Sequence, residues 1–288
     1  MPDVVIDETL VRRLVRSQFP GWSVLPVRPV EIDGWDNRTF HLGPDLSVRL
    51  PSGPGYDLQV RKELDWLPLL QAGLSLPIPE VLALGQPNDL YPFEWTVRRW
   101  ISGTPVRDAP GLDRAVLAED LARFLLELRL VSVEKGPEPG EYSQHRGGPL
   151  SHWQKDVDRA LAQLGSSINQ DRASGLWLDA LAAAEDEPPR WLHGDIATGN
   201  LLTTHGRLSA VIDFGCIAVG DPACDLVPAW TYFTKPSRDR FENSMQVTQA
   251  EWARGIGWAL WKALVTVDDV QEGSMSRFCL EQLRVADS

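Results

Sequence analysis

Three side chains define the chemistry this chain could perform. In the segment Trp191-Leu192-His193-Gly194-Asp195-Ile196-Ala197-Thr198-Gly199-Asn200, an Asn follows Asp195 by five positions, and Val211-Ile212-Asp213-Phe214-Gly215 adds a second Asp thirteen positions further on. Transfer of a phosphoryl group needs such a set: a carboxylate that orients and deprotonates a hydroxyl nucleophile, and oxygen ligands for a Mg²⁺ ion that bridges the phosphates. His193-Gly194-Asp195 alone is a common tripeptide, and a β-hairpin with acids at its ends would explain Asp213-Phe214-Gly215. The joint pattern, with Asn200, an apolar run and a polar turn at 203–207 between the two halves, is much rarer.

These residues need a scaffold, and the hydrophobic periodicity supplies one. Ile6, Leu10, Val11, Leu14 and Val15 recur at helical spacing, predicting an amphipathic helix over 6–18. Short alternating runs broken by Gly34, Gly43-Pro44 and Pro51 predict antiparallel strands at 27–32, 37–42 and 46–50. A helix is expected over 57–71 with Leu58, Leu64, Leu67 and Leu70 inward, then strands at 81–84 and 93–101. Ser102-Gly103-Thr104-Pro105 reads as a hinge, which gives two domains, 1–101 and 102–288. Beyond it the pattern turns helical at 112–131, 151–164 and 173–184, with a Gly- and Pro-rich loop at 135–149 of the kind that carries binding function. After the strands that hold Asp195 and Asp213, helices are expected at 224–233, at 237–267 in one or two pieces, and at 275–285.

The spacing of Asp195, Asn200 and Asp213 resembles the kinase catalytic loop and metal-binding triplet, with His-Gly-Asp in place of His-Arg-Asp. That replacement resembles the aminoglycoside phosphotransferase and choline kinase-like family of small-molecule kinases. The resemblance implies an α+β, bilobal protein kinase-like fold with a small antiparallel-sheet N-lobe and a mostly helical C-lobe. It implies Asp195 as catalytic base, Asn200 and Asp213 as Mg²⁺ ligands, and His193 as a packing and hydrogen-bonding residue of the catalytic loop. Arg49 would replace the usual strand Lys that reaches the nucleotide phosphates, anchored by Glu63 on the next helix. Gly34-Trp35-Asp36-Asn37 would form the phosphate flap, with Asn37 stabilising its turn, and backbone groups of Arg99 and Ile101 would pair with the adenine edge. The chain departs from the family pattern at Ala197-Thr198, where His-Pro usually stands and where protein kinases place a phosphate-contacting Lys. Asp225 is expected to cap or anchor the catalytic loop, and Asp221 to sit at a helix entry or in the pocket. Trp230, Tyr232, His145 and Trp153 are acceptor-site candidates.

Composition sets outer bounds. Charged residues at 24% and hydrophobic residues at 43% are ordinary for a globular protein, and 28 basic against 40 acidic residues, a net −12, argues against a nucleic-acid binder. The acidity is compatible with a cationic acceptor and the twelve Trp with an apolar one. Cys216, Cys224 and Cys279 have no metal-ligand spacing, which fits a reducing cytosol. No run reaches the roughly 18 apolar residues of a membrane span, and Met1-Pro2-Asp3 does not open a signal peptide. The expected function is Mg²⁺-dependent transfer of the γ-phosphate of ATP or GTP to a hydroxyl of a small molecule, an antibiotic of the aminoglycoside or macrolide type. Competing readings are a metabolic kinase acting on an amino alcohol or sugar, a nucleotide-binding pseudokinase, and a metal-dependent hydrolase; the last lacks the further His ligands such sites use.

Overall fold

The computed structural model describes residues 4–31, 36–270 and 272–286, and the chain divides into two compact units. The first holds the residues up to Ala72 together with Pro77–Ser102, and the second holds Gly73–Leu76 and Gly103 onward.

In the first unit, Asp7 opens α1 (Glu8–Gln18) by accepting the N–H of Leu10 at 2.8 Å. This satisfies one of the orphan donors of the first turn. Leu10, Val11, Leu14 and Val15 turn inward, as their spacing predicts, and join a core with Val27, Phe40, Leu42, Val48, Leu50, Trp95 and Val97. The sheet contains β1 (Val27–Pro29), β2 (Asn37–Leu42), β3 (Leu46–Pro51), β4 (Val81–Gly85) and β5 (Trp95–Arg99) in the order β1-β2-β3-β5-β4, and each neighbouring pair is antiparallel. Strand β1 is shorter than the expected 27–32; Ile32, like Gly34 and Trp35 of the expected flap, lies outside the described residues.

The helix between β3 and β4, α2 (Asp57–Gly73), buries Gln59, Val60, Lys62, Glu63, Leu67 and Leu70, while Leu58 is 48% exposed. The inward face expected from the leucines alone is therefore rotated. A buried carboxylate must be paired, and Glu63 faces the sheet because two arginines there meet it.

The second unit is mostly helical. Its long elements are α3 (Arg114–Leu130), α4 (Gln154–Leu164), α5 (Gln170–Ala182), α7 (Lys235–Met245), α8 (Gln249–Thr266) and α9 (Gly273–Gln282). Helix α3 packs on α7, α5 on α8, and α8 on α9. The region expected as one or two helices at 237–267 is two. The expected helix at 224–233 is a 3₁₀ turn, Pro222–Leu226, followed by the short α6 (Pro228–Thr231), with Pro228 in its first turn.

Two small sheets carry the motif residues. β6 (Thr104–Pro105), β8 (Leu201–Thr204) and β9 (Arg207–Val211) form one, and β7 (Arg190–Leu192) pairs with β10 (Ala218–Gly220), a strand the sequence reading missed. The β8–β9 hairpin turns through His205 (φ 52°) and Gly206 (φ 76°). Positive φ at both central residues is the turn type whose twist suits a tight hairpin.

Candidate active site

The segment that carries Asp195 begins where β7 ends. Gly194 has φ 83°, and a Cβ there would stand 2.6 Å from the carbonyl oxygen of Cys216 and 3.0 Å from Cβ of Arg146. The Gly of His-Gly-Asp is thus required by backbone conformation and by crowding. Two supports hold the loop. The buried Asp225 accepts the N–H of His193 at 2.7 Å on Oδ2 and that of Gly194 at 2.8 Å on Oδ1. The His193 ring is fully buried, accepts the N–H of Asp195 on Nδ1 (3.2 Å), contacts the Ile212 carbonyl through Nε2 (3.1 Å), and meets Phe214 edge to face at 4.7 Å. It ties the Asp195 loop to the strand end that carries Asp213.

Of the three motif residues, Asp195 and Asn200 are in direct contact. Asn200 donates through Nδ2 to the backbone carbonyl of Asp195 at 3.0 Å and to its Oδ2 at 3.2 Å. Its other amide atom, a carbonyl oxygen, is the hard donor a Mg²⁺ ion takes. Asp213 follows β9 in the left-handed region, φ 66° and ψ 69°, as the residue before a 3₁₀ turn, Phe214–Cys216. One carboxylate plus one amide oxygen fits Mg²⁺, which is commonly held by one or two carboxylates with water and phosphate completing its shell.

Asp195 keeps 34% of its side-chain surface exposed and faces a cation that sequence reasoning missed: Lys262 of α8 lies 3.3 Å from its Oδ1, and also 3.4 Å from Glu272. Burial alone would raise the Asp195 carboxyl, but Lys262, and after it Arg146, outweigh that and hold it below the ordinary carboxylate range. Lys262 is pulled the other way: burial would lower it, and Asp195 and Glu272 raise it. One signal for Lys262 existed. It is the sole charged residue in the run Gly255–Thr266, a helix otherwise rich in buried apolar side chains.

Beside Asp195 lies a narrow cleft, with room for little more than a water molecule, lined by Arg146, Gly194, Asp195, Ile196, Cys224, Val227, Trp258, Trp261 and Lys262. Arg146 comes from the loop expected to carry binding function. Of the four acceptor-site candidates read from sequence, Trp153 packs at 4.3 Å on Trp261, and His145 stacks on His152 at 3.8 Å beside it. Trp230 instead packs on Trp252, and Tyr232 lies under the Arg114 guanidinium. Asp221 caps the 3₁₀ turn through the N–H of Ala223 and receives the buried Arg254 through both carboxylate oxygens, at 2.8 and 3.1 Å, which makes it a structural anchor for α8.

Within the first unit, Arg49 of β3 and Glu63 of α2 meet as expected, Nη1 to Oε1 at 3.4 Å. Arg98 of β5, a residue the sequence reading overlooked, takes the other carboxylate oxygen of Glu63. Burial would raise Glu63, but Arg98 and then Arg49 overcome it, so its carboxyl is held low. Asn37 is not confined to a turn. It starts β2, and with its amide oxygen toward Arg49 it accepts from Nη2 and Nε at 2.8 and 3.1 Å. At the far end of the sheet, the Arg99 N–H is committed to the Glu80 carbonyl at 3.0 Å, and its side chain pairs with Glu80 at 2.6 Å. That N–H cannot also serve an adenine edge; Ile101, just past the strand, remains half-buried.

A sheet-rich unit carrying a buried Arg–Glu pair, and a helical unit carrying Asp195, Asn200 and Asp213, are the two parts of a protein kinase-like fold. The chain belongs to the phosphotransferase enzyme family APH, whose profile matches residues 27–259. It is similar to the hygromycin-B 4-O-kinase of Escherichia coli, 26% identical over 183 residues, which are 57% of this chain and 50% of that protein. The chain thus spans half the length of the curated relative it matches. Among solved structures it resembles the GDP complex of an aminoglycoside 2'-phosphotransferase-IIIa mutant (TM-score 0.75, 19% identity, 96% of each chain). It also resembles the apoenzyme of a macrolide 2'-phosphotransferase from Brachybacterium faecium (TM-score 0.64, 20% identity, 98% of this chain and 99% of that one).

Proposed function

We propose that this chain transfers the γ-phosphate of ATP or GTP to a hydroxyl of a small molecule in a Mg²⁺-dependent reaction, and that the acceptor is an antibiotic of the kind its relatives modify. The observation that carries this reading is the convergence on Asp195. Its backbone is fixed through Asp225 and His193, one carboxylate oxygen accepts from Asn200, and the other faces Lys262. A carboxylate so held, and kept ionised by its cationic neighbours, accepts and orients an acceptor hydroxyl and takes its proton as the O–P bond forms. Asn200 and Asp213 would hold the Mg²⁺, which when bound neutralises phosphate charge. Arg49, steadied by Glu63 and Asn37, offers its guanidinium to the nucleotide phosphates, and Ile101 with the carbonyl of Arg99 would meet the base. In this reading residues 1–101 bind the nucleotide, and 102–288 carry the catalytic residues and bind the acceptor. The reaction is placed in the cytoplasm, with a nucleotide and a small molecule as partners; among the described residues no helix is long and apolar enough to cross a membrane.

The test is direct. Purified protein with Mg²⁺ and ATP or GTP is offered hygromycin B, an aminoglycoside and a macrolide, and both nucleoside diphosphate release and the mass of the acceptor are followed. Asp195→Ala should abolish transfer and leave nucleotide affinity within a few fold of wild type. A folded Asp195→Ala protein that keeps most of the turnover overturns the assignment.

A further inference from the structure

The corner between α8 and α9 is built onto the loop that carries Asp195. Lys262 of α8 lies 3.3 Å from Asp195 Oδ1 and 3.4 Å from an oxygen of Glu272, the residue that precedes α9. The Thr266 hydroxyl donates to the Lys262 carbonyl at 2.7 Å and lies 2.7 Å from the hydroxyl of Ser276. Met275 of α9 receives the hydroxyl of Thr198 on its sulfur at 3.3 Å. Gly273 lets the chain turn tightly here, since a Cβ would stand 2.6 Å from the Val267 carbonyl oxygen. The corner thus meets the loop at two points, and the Lys262 ammonium is held between two carboxylates rather than left to swing on its stem.

Nothing in the packing calls for a lysine at this position. Trp258, Ala259, Leu260, Trp261, Ala263 and Leu264 around it on α8 are buried, and an apolar side chain would suit that surface. Burial alone would lower the ammonium, but Asp195 and Glu272 outweigh it and keep it charged. An ammonium has three N–H donors. Asp195 and Glu272 engage two, and the third has no partner among the described residues, although the side chain keeps 16% of its surface exposed.

The proposed reaction has a use for that donor. The acceptor oxygen bonds to the γ-phosphorus with a lone pair while its proton passes to Asp195. The bond from phosphorus to the bridging oxygen breaks, and its electron pair leaves with the nucleoside diphosphate. Negative charge spreads over the three equatorial oxygens meanwhile, and donors already aimed at such charge are a main source of rate. From Gly194 to Asn200 the loop carries no cationic side chain of its own. The phosphorus must come within roughly 3–3.5 Å of the hydroxyl that Asp195 holds. An ammonium 3.3 Å from that carboxylate reaches the phosphoryl oxygens by rotating its terminal bonds. Resting on the reading of Asp195 as the base, we propose that Lys262 is a catalytic residue whose third N–H donates to an equatorial oxygen of the γ-phosphoryl group, with Glu272 holding it in place.

Nucleotide binding in an Asp195→Asn background tests this without turnover. Removing the Asp195 charge first matters, because Lys262→Met in the native background leaves a carboxylate without its partner and could act through it alone. Calorimetry with Mg²⁺ compares ADP with its β,γ-imido triphosphate analogue, and GDP with the corresponding guanine analogue. Adding Lys262→Met should weaken the imido triphosphate by about tenfold and leave the diphosphate within about twofold, which also shows that the variant is folded. Lys262→Gln should act in the same direction, and Lys262→Arg should recover part of the loss. An equal loss with both nucleotides, or none with either, overturns the proposal. With Asp195 present, Lys262→Met should lower kcat about a hundredfold with KM for both substrates within a few fold; an unchanged kcat overturns it as well. Wild type that binds no nucleotide overturns the phosphotransferase reading and this proposal together, whereas nucleotide binding and transfer that ignore Lys262 overturn this proposal alone.

Discussion

Asp225 is the residue whose loss should best report how the catalytic loop is held. It is 1% exposed and its two oxygens accept the backbone N–H groups of His193 and Gly194, both buried. Asp225→Ala leaves two buried donors without partners, at about 1–3 kcal/mol each, or about 2–6 kcal/mol together. Part of this returns because a carboxylate no longer has to be desolvated. Burial is the first cause of the raised Asp225 carboxyl, and it is only partly offset by His193, Gly194 and Arg129. A net loss of about 2–4 kcal/mol follows for Ala, and about half of that for Asn, which keeps one acceptor oxygen. Urea unfolding of the three proteins at neutral pH measures it as a lower midpoint at unchanged slope. A loss below about 1 kcal/mol in Asp225→Ala would show that water or a rearranged backbone satisfies these donors, and that the loop does not depend on this carboxylate.

The remaining predictions concern the two clusters. Lys262→Met removes the cation that contributes most to holding Asp195 low and leaves Arg146 and His193 against the effect of burial, so the acid limb of kcat/KM should move to higher pH; an unmoved limb separates Lys262 from the titration of Asp195. The sign for stability is the same: a depressed native carboxyl stabilises above its unfolded value and loses that contribution as pH falls through the native one. Asp213→Ala and Asn200→Ala should raise the Mg²⁺ concentration needed for nucleotide binding, Asp213→Ala more severely because it removes a full charge. A Mg²⁺ titration at fixed nucleotide that matches wild type for both would place the metal elsewhere. Arg49→Ala should weaken nucleotide binding and turnover together by roughly 2 kcal/mol, Arg49→Lys should recover part, and Glu63→Ala should act in the same direction but less. Wild-type nucleotide dissociation constants in Arg49→Ala would exclude it as a phosphate ligand.

What was legible in the sequence was what is local. Asp195, Asn200 and Asp213 lie within one strand–loop–hairpin segment, so their spacing alone carries their geometry. The amphipathic α1 and the strand run from β2 to β5 follow from short-range periodicity. Partners brought by distant elements left weaker traces. Arg98 shares Glu63 with Arg49 only because β5 sits beside β3 in the sheet. Lys262 reaches Asp195 from a helix 67 residues away, and Arg146 reaches the same cleft from the loop whose composition pointed to binding without singling out a residue. Leu58 faces outward because pairing Glu63 with two arginines set the rotation of α2, which leucine spacing could not foresee.

The backbone at Asp213 has a consequence for how this protein can change. A non-glycine residue at φ 66° sits in a region that costs L-amino acids roughly 1 kcal/mol and that glycine enters freely. Selection for thermostability alone would therefore favour glycine at this position, while the proposed role of Asp213 as a Mg²⁺ ligand would favour the acid. The two pressures oppose each other at a single codon. If Asp213 holds Mg²⁺ as proposed, stabilised descendants of this chain should collect their changes elsewhere, and a lineage found with glycine at 213 is expected to have lost Mg²⁺-dependent phosphate transfer.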